Sequence, residues 1–90
     1  MKLFKKYFLL FAFVALANFT YALNIEGDFE GLEEGNIWEL SNGMIVKQVD
    51  YTYQYKYEYR PQVVLYKDGT QLMLLIKSMN KAVRVVCVNC

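Results

Sequence analysis

The chain contains no histidine, only one proline and only two cysteines. Without histidine there is no Ser-His or Cys-His nucleophile pair, no histidine-bound metal and no ordinary general base for neutral pH. The only two serines, Ser41 and Ser78, lie in predicted turns without a neighbouring base, and no glycine-rich loop precedes a helix to bind a nucleotide. These absences predict a protein that is not an enzyme, with no catalytic residues, no cofactor and no bound metal.

Cysteine is confined to the C-terminus, where Cys87 and Cys90 form a Cys-x-x-Cys motif. Redox-active pairs of this kind lie at helix N-termini, where the dipole lowers the thiol pKa, whereas a β-strand is expected to precede this motif. Two thiolates are also too few for a closed zinc site. We therefore predict a local disulfide between Cys87 and Cys90, formed in an oxidising compartment. Free thiols or an intermolecular disulfide are the alternatives.

Charge is absent from residues 7–25, an apolar run that follows three lysines at the start of the chain. A basic start, an apolar run and small residues at a cleavage-like spacing are typical of a secretory signal peptide. We expect residues 1–22 to form a signal helix that is cleaved after Ala22, with Ala17 as the alternative site. The run is also near the roughly 20 residues that span a bilayer, so an uncleaved anchor is the competing interpretation. The protein is thus expected to be periplasmic or secreted, with membrane contact only through this segment if it stays uncleaved.

The charge of the remaining chain is unevenly distributed. Removal of three lysines with the signal leaves 7 basic and 9 acidic residues, which is a net charge of −2. Residues 23–39 contain six of these acidic residues and no basic residue. Residues 23–35 also contain three glycines, and they predict an acidic, irregular lead-in that Phe29 and Leu32 attach to the domain. The domain itself is expected to comprise residues 36–90.

Short apolar runs separated by turn residues follow this lead-in. Asn42-Gly43 and Asp68-Gly69 stand between such runs, and Asn-Gly and Asp-Gly are the strongest short hairpin signals. The predicted strands comprise residues 37–40, 44–49, 51–60, 62–67, 70–76 and 82–88. Strands of this length and spacing predict an all-β fold of five to six antiparallel strands. We expect a small SH3-like barrel, with an OB-like barrel as the alternative.

The most regular pattern in the chain is an alternation of aromatic and polar residues at positions 51–60. Its aromatic members, which we call the tyrosine face, are Tyr51, Tyr53, Tyr55, Tyr57 and Tyr59. Because strand side chains point to opposite faces with period two, the pattern predicts one long strand with an aromatic and a polar face. Burial of the rings is the favoured interpretation, since so small a domain needs apolar surface for its core. The alternative is an exposed or partly exposed platform for a ligand. Trp38 is expected in the core, or at the end of the aromatic face.

Several of these features follow one another in an order that also occurs in other proteins. The order is Gly31, Ile37-Trp38-Glu39-Leu40, Asn42-Gly43, Ile45, Gln48, the alternating tyrosines, Pro61, Val63, Leu65-Tyr66 and Gly69. It resembles a group of small exported bacterial proteins, over residues 29–85. The resemblance implies a compact β-domain outside the cytoplasm and transfers no catalytic residue. The chain departs from the group at Val46, where a second tryptophan is common, and in its Cys-x-x-Cys ending.

These features together predict a non-catalytic binding module of the bacterial envelope, with the tyrosine face and Trp38 as its ligand-binding residues. Cell-wall glycan is one expected partner, and an envelope protein that adds a strand is another. Nucleic acid is disfavoured, because the net charge is negative and Lys56 and Arg60 are expected on the face opposite the rings. The alternative function is a structural or assembly protein that pairs through strand edges or through the C-terminal cysteines.

Overall fold

The computed structural model describes residues 20–90, and this part of the chain is all-β. Its eight strands are β1 (Thr20–Asn24), β2 (Asp28–Phe29), β3 (Ile37–Glu39), β4 (Ile45–Gln48), β5 (Glu58–Tyr59), β6 (Gln62–Asp68), β7 (Gln71–Ile76) and β8 (Lys81–Asn89). The expected signal helix lies almost wholly outside the described residues. Within residues 20–90, no helix has the length and apolar character that crossing a membrane requires.

Six strands form one antiparallel sheet, in the order β1-β6-β7-β8-β4-β3, and this sheet curls into a half-barrel. The β6–β7 hairpin closes at Asp68-Gly69, as predicted, and β8 returns antiparallel beside β7. A second, two-stranded sheet is formed by β2 and β5. The prediction of a small antiparallel all-β fold of barrel type, with five to six strands, is confirmed. The main sheet has six strands, but the sequence does not predict β1, which takes the place of the strand expected over residues 51–60.

The turn between β3 and β4 illustrates how the local sequence specifies the fold. The Gly43 amide donates to the Leu40 carbonyl at 2.9 Å, and the Met44 amide donates to the Asn42 side-chain oxygen at 3.0 Å. Gly43 has φ +92°, a left-handed conformation that glycine adopts without strain. The predicted Asn-Gly hairpin is therefore present.

The core lies on one face of the curled sheet. Alternate residues of β6, β7 and β8 are at most 1% exposed: Val63, Leu65, Leu74, Ile76, Val83 and Val85. The lead-in covers this face with Phe29 and Leu32, which are 0% and 1% exposed. The Phe29 ring packs against Trp38 with 5.8 Å between the ring centroids. Phe29 and Leu32 thus attach the lead-in to the domain as predicted, and Trp38 belongs to the core.

Strand β1 lies at one edge of the sheet and pairs with β6 from Thr20↔Tyr66 to Asn24↔Gln62. Cleavage after Ala22 would remove three of these five paired positions, whereas cleavage after Ala17 would leave β1 whole. Cleavage after Ala17 therefore predicts a mature protein with all five β1 positions paired to β6, whereas cleavage after Ala22 predicts one that keeps only two of them.

The prediction of one long strand over residues 51–60 is wrong. Only β5 is a strand there, and it pairs with β2 through Asp28↔Tyr59 and Phe29↔Glu58. A single further bridge joins Gln54 to Leu32. The partner of this segment is the glycine-containing lead-in, and Gly31 has φ +106°. That left-handed residue bends the lead-in between the two points of pairing, so no continuous ladder forms.

Candidate binding site on the tyrosine segment

Residues 51–59, which we call the tyrosine segment, present all five of their rings to solvent. The exposed fractions are 84% for Tyr51, 69% for Tyr53, 65% for Tyr55, 55% for Tyr57 and 66% for Tyr59. The favoured interpretation from sequence, burial of these rings in the core, is therefore wrong. The core is filled instead by aliphatic side chains with Phe29 and Trp38.

Three of the four polar residues of the segment face the domain, and none of the aromatic ones does; the fourth, Gln54, is exposed. Thr52, Lys56 and Glu58 are half-buried. The Ser78 hydroxyl donates to the Glu58 carboxylate, and the Lys56 ammonium lies 3.5 Å from the Ser78 carbonyl oxygen. The segment is thus amphipathic, but its aromatic side chains face solvent. In a core strand the apolar side chains face the domain instead. The apolar surface of the segment remains available for contact with another molecule.

Gln48 fixes the start of the tyrosine segment. Its side chain is 0% exposed, and its oxygen accepts from the Glu33 amide at 3.0 Å. Its nitrogen donates to the Asp50 carboxylate at 3.0 Å and to the Thr52 carbonyl at 2.8 Å. One buried amide therefore connects the sheet, the lead-in and the tyrosine segment, with its polar groups satisfied. Our sequence reasoning missed this role. The available signal was a polar residue two positions after the buried Val46, on the inward face of β4.

The lead-in touches the middle of the tyrosine segment backbone to backbone. Leu32 and Gln54 exchange two hydrogen bonds, of 2.7 Å and 3.0 Å. A Cβ atom at Gly31 would collide with the Gln54 carbonyl oxygen and the Lys56 nitrogen. Only glycine therefore allows this approach, which brings the acidic lead-in beside the rings.

A cleft lies between the lead-in and two of the rings, with a volume of about 250 Å³. Its lining combines aromatic, carboxylate and amide groups: Glu30, Gly31, Leu32, Glu33, Asn36, Tyr53 and Tyr55. The Asn36 side-chain nitrogen donates to the Gly31 carbonyl at 3.2 Å, which stabilises the bend of the lead-in. The cleft contains no basic residue in its lining.

Carboxylates also determine the electrostatics at the far end of the segment. The Tyr57 hydroxyl donates to Asp28 at 2.8 Å, and this hydrogen bond to a carboxylate raises the pKa of Tyr57 above its ordinary value. Partial desolvation and the negative charge of Asp28 act in the same direction. Arg60 forms a 2.7 Å ion pair with Glu26, and this contact raises the pKa of the Arg60 guanidinium. The Arg60 guanidinium is thus already paired with a carboxylate.

The remaining residues singled out from sequence lie away from the exposed rings. Trp38 is 7% exposed and packs on Phe29, so it does not extend the tyrosine face. Cys87 and Cys90 are joined by a disulfide at the end of β8. Among residues 20–90, no group of three His, Cys, Asp or Glu side chains is arranged to hold a metal ion.

Comparison of the chain with family models, with curated proteins and with solved structures gives no match. The resemblance to small exported bacterial proteins and the expected export of the chain therefore stay predictions. The geometry of the tyrosine segment is the basis on which a function can be argued.

Proposed function

We propose that this protein is an exported, non-catalytic binding module whose contact surface is the tyrosine segment. The observation that supports the proposal is the exposure of all five rings while their polar neighbours attach the segment to the domain. Covering about 300 Å² of ring surface would contribute about 7.5 kcal/mol at ~25 cal/mol per Å². Association costs several kcal/mol, so this surface suits binding of modest affinity.

The partners that suit this surface are found outside the cytoplasm. A glycan of the cell wall can lay the flat faces of its sugar rings on the tyrosines and donate its hydroxyls to Glu30 and Glu33. An envelope protein can cover the same rings. A nucleic acid would bring phosphates against these carboxylates, and this repulsion disfavours it.

The test compares the wild-type domain with the double variant Tyr53→Ala plus Tyr57→Ala. Both rings are more than half exposed, so the circular dichroism spectrum and the unfolding midpoint should change little. Cosedimentation with purified cell-wall glycan, or binding of the peptide described below, should be abolished. The matched control is Ile37→Ala plus Val88→Ala, which removes exposed apolar groups elsewhere (58% and 53% exposed) and should bind normally. Equal binding by the tyrosine variant would refute the proposal.

The alternative, an assembly protein, is supported by the edges of the main sheet. Within the described residues, β1 and β3 are the two edge strands, and Ile37 on β3 is 58% exposed. Assembly through the cysteines would require exchange of the disulfide that joins Cys87 to Cys90. Sedimentation equilibrium decides between these functions. A monomer at all concentrations removes the assembly function, whereas a dimer that Ile37→Lys dissociates would favour it.

A further inference from the structure

We infer that the cleft beside Tyr53 and Tyr55 binds a lysine or arginine side chain of a partner polypeptide that lies extended along the tyrosine segment. This inference rests on the proposed binding function and specifies the chemical class of its ligand. Three independent features of the described residues carry it: the size of the cleft, its charge, and the backbone groups next to it.

The size of the cleft suits one long side chain. Its volume is about 250 Å³, and sites for small molecules usually measure about 300–1,000 Å³. A single side chain can fill the cleft while the rest of the partner remains on the open surface.

The charge of the cleft selects a cation. Glu30 and Glu33 contribute carboxylates, and Tyr53 and Tyr55 contribute rings whose faces attract ammonium and guanidinium groups. The neighbouring cations do not neutralise them. Arg60 is paired with Glu26 at 2.7 Å. Lys56 contacts the Ser78 carbonyl on the domain-facing side of the segment.

The backbone of the tyrosine segment offers a place for an extended partner. Gln54 and Glu58 pair with the lead-in, and in antiparallel pairing the residues between such positions direct their N–H and C=O groups to the opposite edge. Tyr55 and Tyr57 are the alternate residues between these positions, and Tyr53 directly precedes Gln54. Among residues 20–90 these three tyrosines form no backbone–backbone hydrogen bond.

A peptide that adds as a strand at this edge would satisfy these groups. It would lie about 4.8 Å from the segment, so a long basic side chain on the ring side would reach across Tyr53 or Tyr55 into the cleft.

The experiment is an NMR titration of the ¹⁵N-labelled domain, residues 18–90, at low salt. The probe is an acetylated and amidated heptapeptide in which threonine and arginine alternate. The same peptide with glutamate in place of arginine is the charge control, and an oligomer of N-acetylglucosamine represents neutral glycan. We expect the arginine peptide to shift the amide signals of Tyr53, Tyr55 and Tyr57, and the glutamate peptide to leave them unchanged.

Two pairs of variants locate the binding site. Glu30→Gln plus Glu33→Gln should weaken binding of the arginine peptide at least about tenfold, because the cleft loses both carboxylates. Glu34→Gln plus Glu39→Gln removes the same charge from exposed positions that do not line the cleft, and should change binding less than about twofold. Tyr53→Leu plus Tyr55→Leu should also weaken binding, whereas Ile37→Ala plus Val88→Ala, which removes exposed apolar groups outside the tyrosine segment, should not.

The outcomes separate this inference from the function on which it rests. Equal binding of the arginine and glutamate peptides, or equal losses in the two glutamate variants, would overturn the inference. Binding of the neutral oligosaccharide to the tyrosines without binding of the arginine peptide would overturn it too, but would leave the binding module intact. Failure of every probe to bind would count against both.

Discussion

The strands of the main sheet and the tyrosine segment both alternate apolar and polar residues. The strands bury their apolar residues, whereas the tyrosine segment exposes them. In β6, alternate residues such as Val63 and Leu65 point into the core and are 0% exposed. In the tyrosine segment the alternate aromatic residues point outward, and three of the four polar residues between them are half-buried against the domain. A period of two therefore shows that a segment has two unlike faces, but it does not show which face is buried.

The difference arises from the neighbours of each segment. Strand β6 has a partner on each side, β1 and β7, and one sheet face that the lead-in covers. The tyrosine segment reaches a core that Phe29 and Leu32 already fill. Two of its polar side chains, Lys56 and Glu58, contact Ser78. The hydroxyls of the outward rings lie at the surface, where water or a neighbouring side chain can bond to them. A buried phenol would have needed a hydrogen-bond partner for each ring.

The largest expected effect comes from truncating one side chain to alanine in each region and comparing the two losses of stability. Leu74→Ala removes a fully buried side chain from β7 and should lower the free energy of unfolding by about 2–5 kcal/mol. Tyr53→Ala removes a larger, exposed side chain and should change it by less than about 0.5 kcal/mol. Urea unfolding followed by circular dichroism measures both. If the two variants lose similar stability, the rings contribute to the core and the comparison fails.

Much of this fold follows from the sequence because the turns are encoded locally. Asn42-Gly43 and Asp68-Gly69 place two hairpins, and the apolar residues of β6, β7 and β8 locate the core. The orientation of the tyrosine segment could not be predicted in this way, because it depends on Gln48, whose side chain is held by the Glu33 amide 15 residues earlier, and on Ser78, which is 20 residues from Glu58. The cleft likewise depends on a backbone approach at Gly31 that no local pattern reveals.

Replacement of Gln48 tests the connection between the two regions. Gln48→Leu leaves the Glu33 amide and the Thr52 carbonyl without their partner, and should cost about 2–4 kcal/mol of stability. It should also release the start of the tyrosine segment, so amide exchange at residues 51–55 should accelerate more than exchange in β7. The matched control, Gln71→Leu, alters an exposed glutamine and should cost little. Unchanged stability in Gln48→Leu would show that the segment is held by other contacts.

Removal of β1 residues tests how far the sheet depends on its edge. A chain of residues 23–90 lacks three of the five positions that pair with β6, and should be about 1–2 kcal/mol less stable than a chain of residues 18–90. The amide of Leu65, which lies opposite Tyr21 and faces β1, should then exchange faster, while the tyrosine segment should be unaffected. Equal stability of the two chains would show that cleavage after Ala22 leaves the sheet intact. The intact mass of the protein isolated from its own cells then shows whether either of the two expected cleavages takes place.

The smallest expected effect concerns the one ring hydroxyl of the tyrosine segment that bonds to a carboxylate. The hydrogen bond to Asp28 raises the pKa of Tyr57 in the folded protein above its value in the unfolded chain. Its contribution to stability is therefore complete below the unfolded pKa and is lost as the pH rises through the folded pKa. Asp28→Asn keeps an acceptor but removes the charge, so the pKa of Tyr57 should fall towards its ordinary value near 10.0.

NMR titration of the tyrosine ring carbons gives this pKa directly. Glu30→Gln is the control, because Glu30 acts on Tyr57 only through its charge and should lower the pKa less than Asp28→Asn does. Should Asp28→Asn leave the titration of Tyr57 where it was, the hydrogen bond is absent in solution and the end of the segment is held by the pairing of β5 with β2. In that case the outward orientation of the rings would depend on this pairing, on Gln48, on Ser78 and on the contact at Gly31, and the contrast with the buried strands would be sharper still.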